Sequence, residues 1–199
     1  MIWILYLIFF ILSLTLSILG APTWMFITLL KFFVAGSFLT LLYPLMWQKD
    51  ADKVKKYLLK SKQPYHRFLY AFLYEESEAE TKLTKIKQAQ ARKYAEIMLF
   101  TQQERWEDVK ELLQTMKKND LTLYYSAIVA MEEGRQDEYE NYKKQLKDRD
   151  YVTWLTVEQH RRNGNRDEAF AILDKQISTL GGLKLLSALH YKKKLLHTA

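Results

Sequence analysis

The sequence predicts an all-α protein in two parts, a transmembrane helical hairpin at its N-terminus and a short α-solenoid of helix pairs behind it. Three observations carry that expectation. Between residues 2 and 47 the only ionisable side chain other than tyrosine is Lys31, and the other Lys, Arg, Asp and Glu all follow residue 48. Turn-like hexads recur every 30 residues through the charged part. With six Gly, three Pro and no alternating run of valine, isoleucine and threonine between turn pairs, nothing reads as a strand.

The mean hydropathy of -0.26 resembles that of a soluble protein only because it averages two unlike regions. A bilayer core asks for about 20 apolar residues in helical form, and residues 2–19 and 24–46 each meet that length around the short turn Gly20-Ala21-Pro22-Thr23. The domain plan is therefore a hairpin over 1–47, a basic juxtamembrane segment over 48–63, helical repeats over 64–182 and a capping helix with a basic tail over 183–199. No positive n-region precedes the first apolar run, so it reads as a retained anchor rather than a cleaved signal peptide. Lys49, Lys53, Lys55, Lys56, Lys60 and Lys62 crowd beyond the second helix while the turn carries no charge, which puts both termini and the repeats in the cytoplasm. In the absence of an organelle signal the membrane is read as a prokaryotic plasma membrane.

Trp3, Tyr6, Trp24, Tyr43 and Trp47 fall near the helix ends, where amphipathic rings prefer the headgroup layer. Ser13 and Ser17, and Gly36 and Thr40, have the spacing of four that lets helices approach closely. Lys31 lies about 10 Å of helical rise inside Trp24. It either snorkels outward or meets a partner, and no acid in the hairpin can be that partner.

The hexads are Glu104-Arg105-Trp106-Glu107-Asp108-Val109, Gly134-Arg135-Gln136-Asp137-Glu138-Tyr139 and Gly164-Asn165-Arg166-Asp167-Glu168-Ala169. Apolar-periodic stretches flank each one, so each unit is a helix pair. One step upstream lies a degenerate fourth copy, where Ser77 and Glu80 have capping-box spacing. Between units, Asp120 and Asp150 are placed to cap the next helix. Pairs this short bury an apolar face only by stacking on their neighbours.

Chemistry finds little purchase. The chain has no cysteine, its four histidines (His66, His160, His190 and His197) are dispersed, and no phosphate loop or nucleophile elbow occurs. No enzyme, cofactor or metal site is expected. Residues 48–67 carry seven Lys or Arg against two Asp, and residues 184–199 carry four Lys and no acid. With Lys31 these exceed the formal net charge of +7, so the middle of the chain is net acidic and is not a nucleic-acid surface. The first cluster, with Lys31, is read as contacting the membrane and its anionic inner-leaflet lipid.

Gly164-Asn165-Arg166-Asp167-Glu168-Ala169, followed by Ile172, Leu173 and Ile177, resembles the turn and second helix of a tetratricopeptide repeat. The second copy departs from that pattern at Tyr139 and the first at Glu104, the period is 30 rather than the family's 34, and the proline between units is missing. The resemblance implies a protein or peptide partner bound along the concave wall made by the first helix of each pair. Tyr94, Tyr124 and Trp154 recur at one phase of those helices and form an aromatic ladder that either faces a groove or fills the seams between repeats. Arg161 and Arg162 either hold an acidic group or form a solvated charge run. The function expected is a membrane-anchored adaptor or scaffold for protein–protein interaction. The alternative is a small subunit of a larger transporter, channel or membrane enzyme, docked through the hairpin.

Overall fold

The computed structural model describes residues 2–197, apart from the side chains of Ile2, Trp3, Leu5, Leu41 and His197. Among the described residues the chain is 81% helical, with twelve α-helices and no strand. The interfacial role expected of Trp3 and the fate of the His197 ring lie outside the described residues.

Helix α1 (Ile2–Ile18) and helix α2 (Thr23–Met46) fold back on each other. The reversal is made by Gly20 at φ +65°, with the Ala21 N–H donating to the Leu16 carbonyl at 3.0 Å. The Phe33 ring packs on Tyr6 and Phe9, with centroids 5.1 and 4.4 Å away. Ser13, Gly36 and Thr40 lie half-buried along the seam, whereas Ser17 is exposed. At 24 residues, α2 is long and apolar enough to cross a membrane, and it is the one described helix that is. Helix α1 is uncharged but has 17 residues.

Residues 48–63, expected as a basic segment, contain helix α3 (Ala51–Lys60). The Asp50 carboxylate caps it, accepting from the Lys53 N–H at 3.2 Å. Val54 and Leu58, one turn apart, are fully buried and make α3 part of the core. Helix α4 (Pro64–Tyr74) follows, with proline in its first turn, where the missing N–H costs nothing. The capping box expected of Ser77 and Glu80 does not form. Glu76–Glu78 make a 3₁₀ turn instead, and the short helix α5 (Ala79–Leu83) starts after it with Glu78 at its N-cap and with Ala79 and Leu83 buried.

Three helix pairs come next: α6 (Ala89–Gln102) with α7 (Trp106–Gln114), α8 (Asp120–Glu132) with α9 (Gln136–Gln145), and α10 (Arg149–Arg162) with α11 (Arg166–Thr179). The 30-residue spacing is written into the backbone. Glu104, Gly134 and Gly164 take φ of 57°, 68° and 77°, and the next N–H closes on the carbonyl five residues back at 2.9, 2.8 and 2.9 Å. Glu104 is the one described non-glycine residue with positive φ, a strained position for a side chain. Val109, Tyr139 and Ala169 occupy one phase of the second helices, and all three are buried.

The caps sit earlier than expected. Asn119, not Asp120, caps α8 in a capping box with Thr122, and Asp148, not Asp150, caps α10. The released Asp120 carboxylate accepts from the Asp148 N–H at 2.7 Å and so ties one cap to the next. Helix α12 (Gly182–His197) closes the stack: it lies on α11 and returns against α2, α3 and α4.

Candidate functional site

The ladder positions lie on α6, α8 and α10, and the structure joins two of the three. Tyr124 and Trp154 meet edge to face with centroids 6.1 Å apart, and Tyr151 packs on both, at 5.1 and 5.5 Å. Tyr125 joins from the other side at 5.2 Å. Tyr94 stands apart from these rings, its hydroxyl accepting from the Asn119 side-chain amide at 2.9 Å. All five rings are half-buried. Trp154 leans on the cluster of Val157, Ala169 and Leu173, and Tyr124 on that of Ala127, Ile128 and Tyr139, each within its own helix pair, while the contact between the two rings bridges one pair to the next. The Trp154 indole N–H is buried with no hydrogen-bond partner among the described residues.

Burial raises the phenols of Tyr124, Tyr125 and Tyr151. It pushes Tyr151 up to about 12, helped by Asp148, and Tyr65, facing Tyr94, also to about 12. The rings present uncharged donors and apolar faces to one another.

Beside them sits a carboxylate that sequence reading passed over. Glu158 accepts from Arg161 Nε and Nη2 at 3.0 and 2.5 Å, from Arg162 Nε at 3.0 Å and from the Tyr191 hydroxyl. Arg162 also reaches Glu132 on α8. The acidic group that Arg161 and Arg162 hold is therefore the chain's own, and the two cations lock α10 to α8 and α12. Spacing carried a signal for it: Glu158 lies four residues after Trp154 and three and four before the two arginines, which places them together on a helix surface.

The lysines divide into two groups. Lys49 donates to the Leu180 carbonyl at 3.0 Å and to that of Thr179, and Lys55 sits over the Tyr74 ring 4.3 Å from its centroid. Both belong to the domain. Lys53, Lys56, Lys60 and Lys62 are exposed, with Lys53 3.3 Å from the Asp50 carboxylate. Lys31 is exposed on α2, away from the α1 seam and between large apolar neighbours such as Trp24, Ile27 and Val34.

That hairpin surface is the most unusual feature of the molecule. Leu7, Phe10, Leu14, Leu30, Phe32 and Phe38 are each at least half exposed, on both helices. An apolar surface of this extent is not stable against water. Compared with protein-family models, with curated proteins and with solved structures, the chain matches none.

Proposed function

We propose that this chain is a non-enzymatic, membrane-anchored adaptor: both helices of the hairpin lie in a plasma membrane, and the stacked helix pairs recruit a protein or peptide partner in the cytoplasm. The observation that carries the reading is the exposed apolar surface of α1 and α2 beside a domain whose apolar residues are buried. At 17 residues, about 25 Å of rise, α1 is at the short limit for a bilayer core of about 30 Å, and Trp24 and Trp47 bracket α2 near the headgroup level. The lysines after α2 favour a cytoplasmic domain.

The identical turns and the 30-residue phase support a tetratricopeptide-like solenoid. In such a stack the inner wall belongs to α6, α8 and α10, where the half-buried tyrosine cluster and Trp154 offer the exposed part of their rings as rigid aromatic area. A second reading rests on Lys31, a cation on the outer face of α2 with no acid in the hairpin. A larger membrane protein carrying an intramembrane carboxylate would satisfy it, and the domain would then act as a brace.

Pull-downs from detergent extract with the full chain and with residues 48–199 separate the two. A soluble partner kept by the shorter chain supports the adaptor. A polytopic partner lost with the hairpin and with Lys31→Ala supports the subunit, and no specific partner in either overturns both.

A further inference from the structure

We propose that the outer face of α3 is a docking surface for anionic phospholipid, with Lys53, Lys56 and Lys60 on the headgroups and Leu59 at the edge of the hydrocarbon. The proposal rests on the membrane reading of the hairpin and names what the domain does beside it.

The face is built by helical geometry. Val54 and Leu58 point into the core, and opposite them Asp52, Lys53, Lys56, Leu59 and Lys60 come to the surface together. Leu59 is 39% exposed among those charges, a small apolar contact of the kind an interfacial helix lowers into the headgroup boundary. Two of the six lysines that follow α2 are withdrawn from this role by bonds inside the domain, Lys49 on carbonyls and Lys55 on a ring. Lys53 also pairs with the Asp50 carboxylate at 3.3 Å, yet three lysines against Asp50 and Asp52 leave the exposed face net positive, and each such cation is attracted by a negatively charged leaflet.

Position makes lipid the occupant. Four residues separate α2 from α3, and they are clamped rather than free. The Gly182 N–H donates to the Gln48 carbonyl at 2.8 Å, and Lys49 holds the carbonyls of Thr179 and Leu180. A Cβ on Gly182 would stand 2.0 Å from the Leu45 carbonyl oxygen, and one on Gly181 3.0 Å from the Trp47 carbonyl carbon, so the start of α12 lies directly on the last turn of α2. Helix α3 is thus held at a fixed attitude next to the point where the chain leaves the bilayer. Tethering in this way gives the lysine face a high effective concentration of headgroups.

The chain lacks cysteine, so single substitutions accept a probe cleanly. The full chain, labelled at Leu59→Cys with an environment-sensitive fluorophore, is reconstituted in phosphatidylcholine vesicles with and without phosphatidylglycerol, each containing headgroup-nitroxide lipid. Quenching is expected to be about twofold or more stronger with phosphatidylglycerol, to fall with added salt as exposed ion contacts do, and to return to the phosphatidylcholine level in the Lys53→Gln, Lys56→Gln, Lys60→Gln variant. A probe at Phe38→Cys reports the hairpin separately. If Phe38 is shielded from aqueous quencher in both bilayers while Leu59 ignores lipid charge, the α3 proposal falls and the membrane reading stands; if Phe38 is open to aqueous quencher, the membrane reading falls as well. A Leu59 response to single-stranded nucleic acid in place of phosphatidylglycerol also overturns the proposal.

Discussion

Helices α2 and α10 share a backbone and little else. Helix α2 holds one charge in 24 residues and exposes Trp24, Phe32 and Phe38. Helix α10 is 14 residues long, buries Leu155 and Val157, and turns Glu158, Arg161 and Arg162 into a network with α8 and α12. Both satisfy their backbone hydrogen bonds internally. The difference teaches that helix formation is the common step here, and that the surroundings which satisfy the side chains divide the molecule into two regions.

The contrast is broken most directly by removing one large side chain from each region. Tyr139→Ala, at a ring only 1% exposed between α8 and α10, is expected to lower the stability of the domain by about 3 to 5 kcal/mol. Phe38→Ala, on the outer face of α2, is expected to change the same melt by less than about 0.5 kcal/mol. Equal effects in thermal unfolding of the two variants would erase the division.

The junction between the regions is tested by two glycines of like conformation. Gly182 and Gly134 take φ of +59° and +68°, but a Cβ at Gly182 meets the Leu45 backbone whereas at Gly134 it meets nothing within 4 Å. Gly182→Ala should therefore cost about 3 kcal/mol and loosen the hairpin from the domain, while Gly134→Ala carries only the left-handed penalty of about 1 kcal/mol. Protease cleavage at residues 47–50 measures the loosening. Trp154→Ala, in the seam between two pairs, falls between these at about 2 to 3 kcal/mol by denaturant unfolding. A loss below about 1 kcal/mol would move that ring from packing to open surface.

Alkaline pH separates the regions by a different route. Tyr65 and Tyr151 hold their protons up to about 12 in the folded chain, against 10.0 ordinarily, and Tyr124 and Tyr191 are raised in the same direction by burial. A group with a raised folded pKa contributes stability that is complete below its unfolded pKa and is lost as pH rises through the folded value. The melting midpoint should therefore stay level up to pH 10.0 and fall between there and about 12. Tyr151→Phe should flatten the fall, and phenolate absorbance during unfolding checks it. A small effect of opposite sign is expected at the first turn: Glu104→Gly relieves a side chain at φ 57° and should stabilise by about 0.5 to 1 kcal/mol in the same melt.

Much of the repeat was legible because its signals are local. The hexads announce positive φ by glycine at two of three positions, and the spacing of 30 carried over to Glu104, where no glycine stands. The ladder was legible only in part. Tyr124 and Trp154 share a seam because α8 and α10 touch directly, whereas Tyr94 turns to the cap of α8. Caps were misplaced by one or two residues because Asp, Asn and Ser are interchangeable by type at a helix start, and the turn decides which is used. The Ser77 and Glu80 box failed because α5 starts at Ala79 with Glu78 at its N-cap, so Ser77 and Glu80 stand at neither of the two positions a capping box needs.

By itself the sequence determined an apolar hairpin with its turn, the helix pairs and their period, since each depends on residues within about one helical turn of one another or on a run of one polarity. Tertiary structure alone decided which cations are free. Lys49 and Leu180 are 131 positions apart, and Arg162 finds Glu132 in the preceding pair. It also decided that Gly181 and Gly182 are the point where α12 lies against the end of α2. A close approach of two backbones leaves no periodicity in a sequence; it requires only that nothing larger than hydrogen occupy the place, and that requirement becomes visible when the second backbone is there.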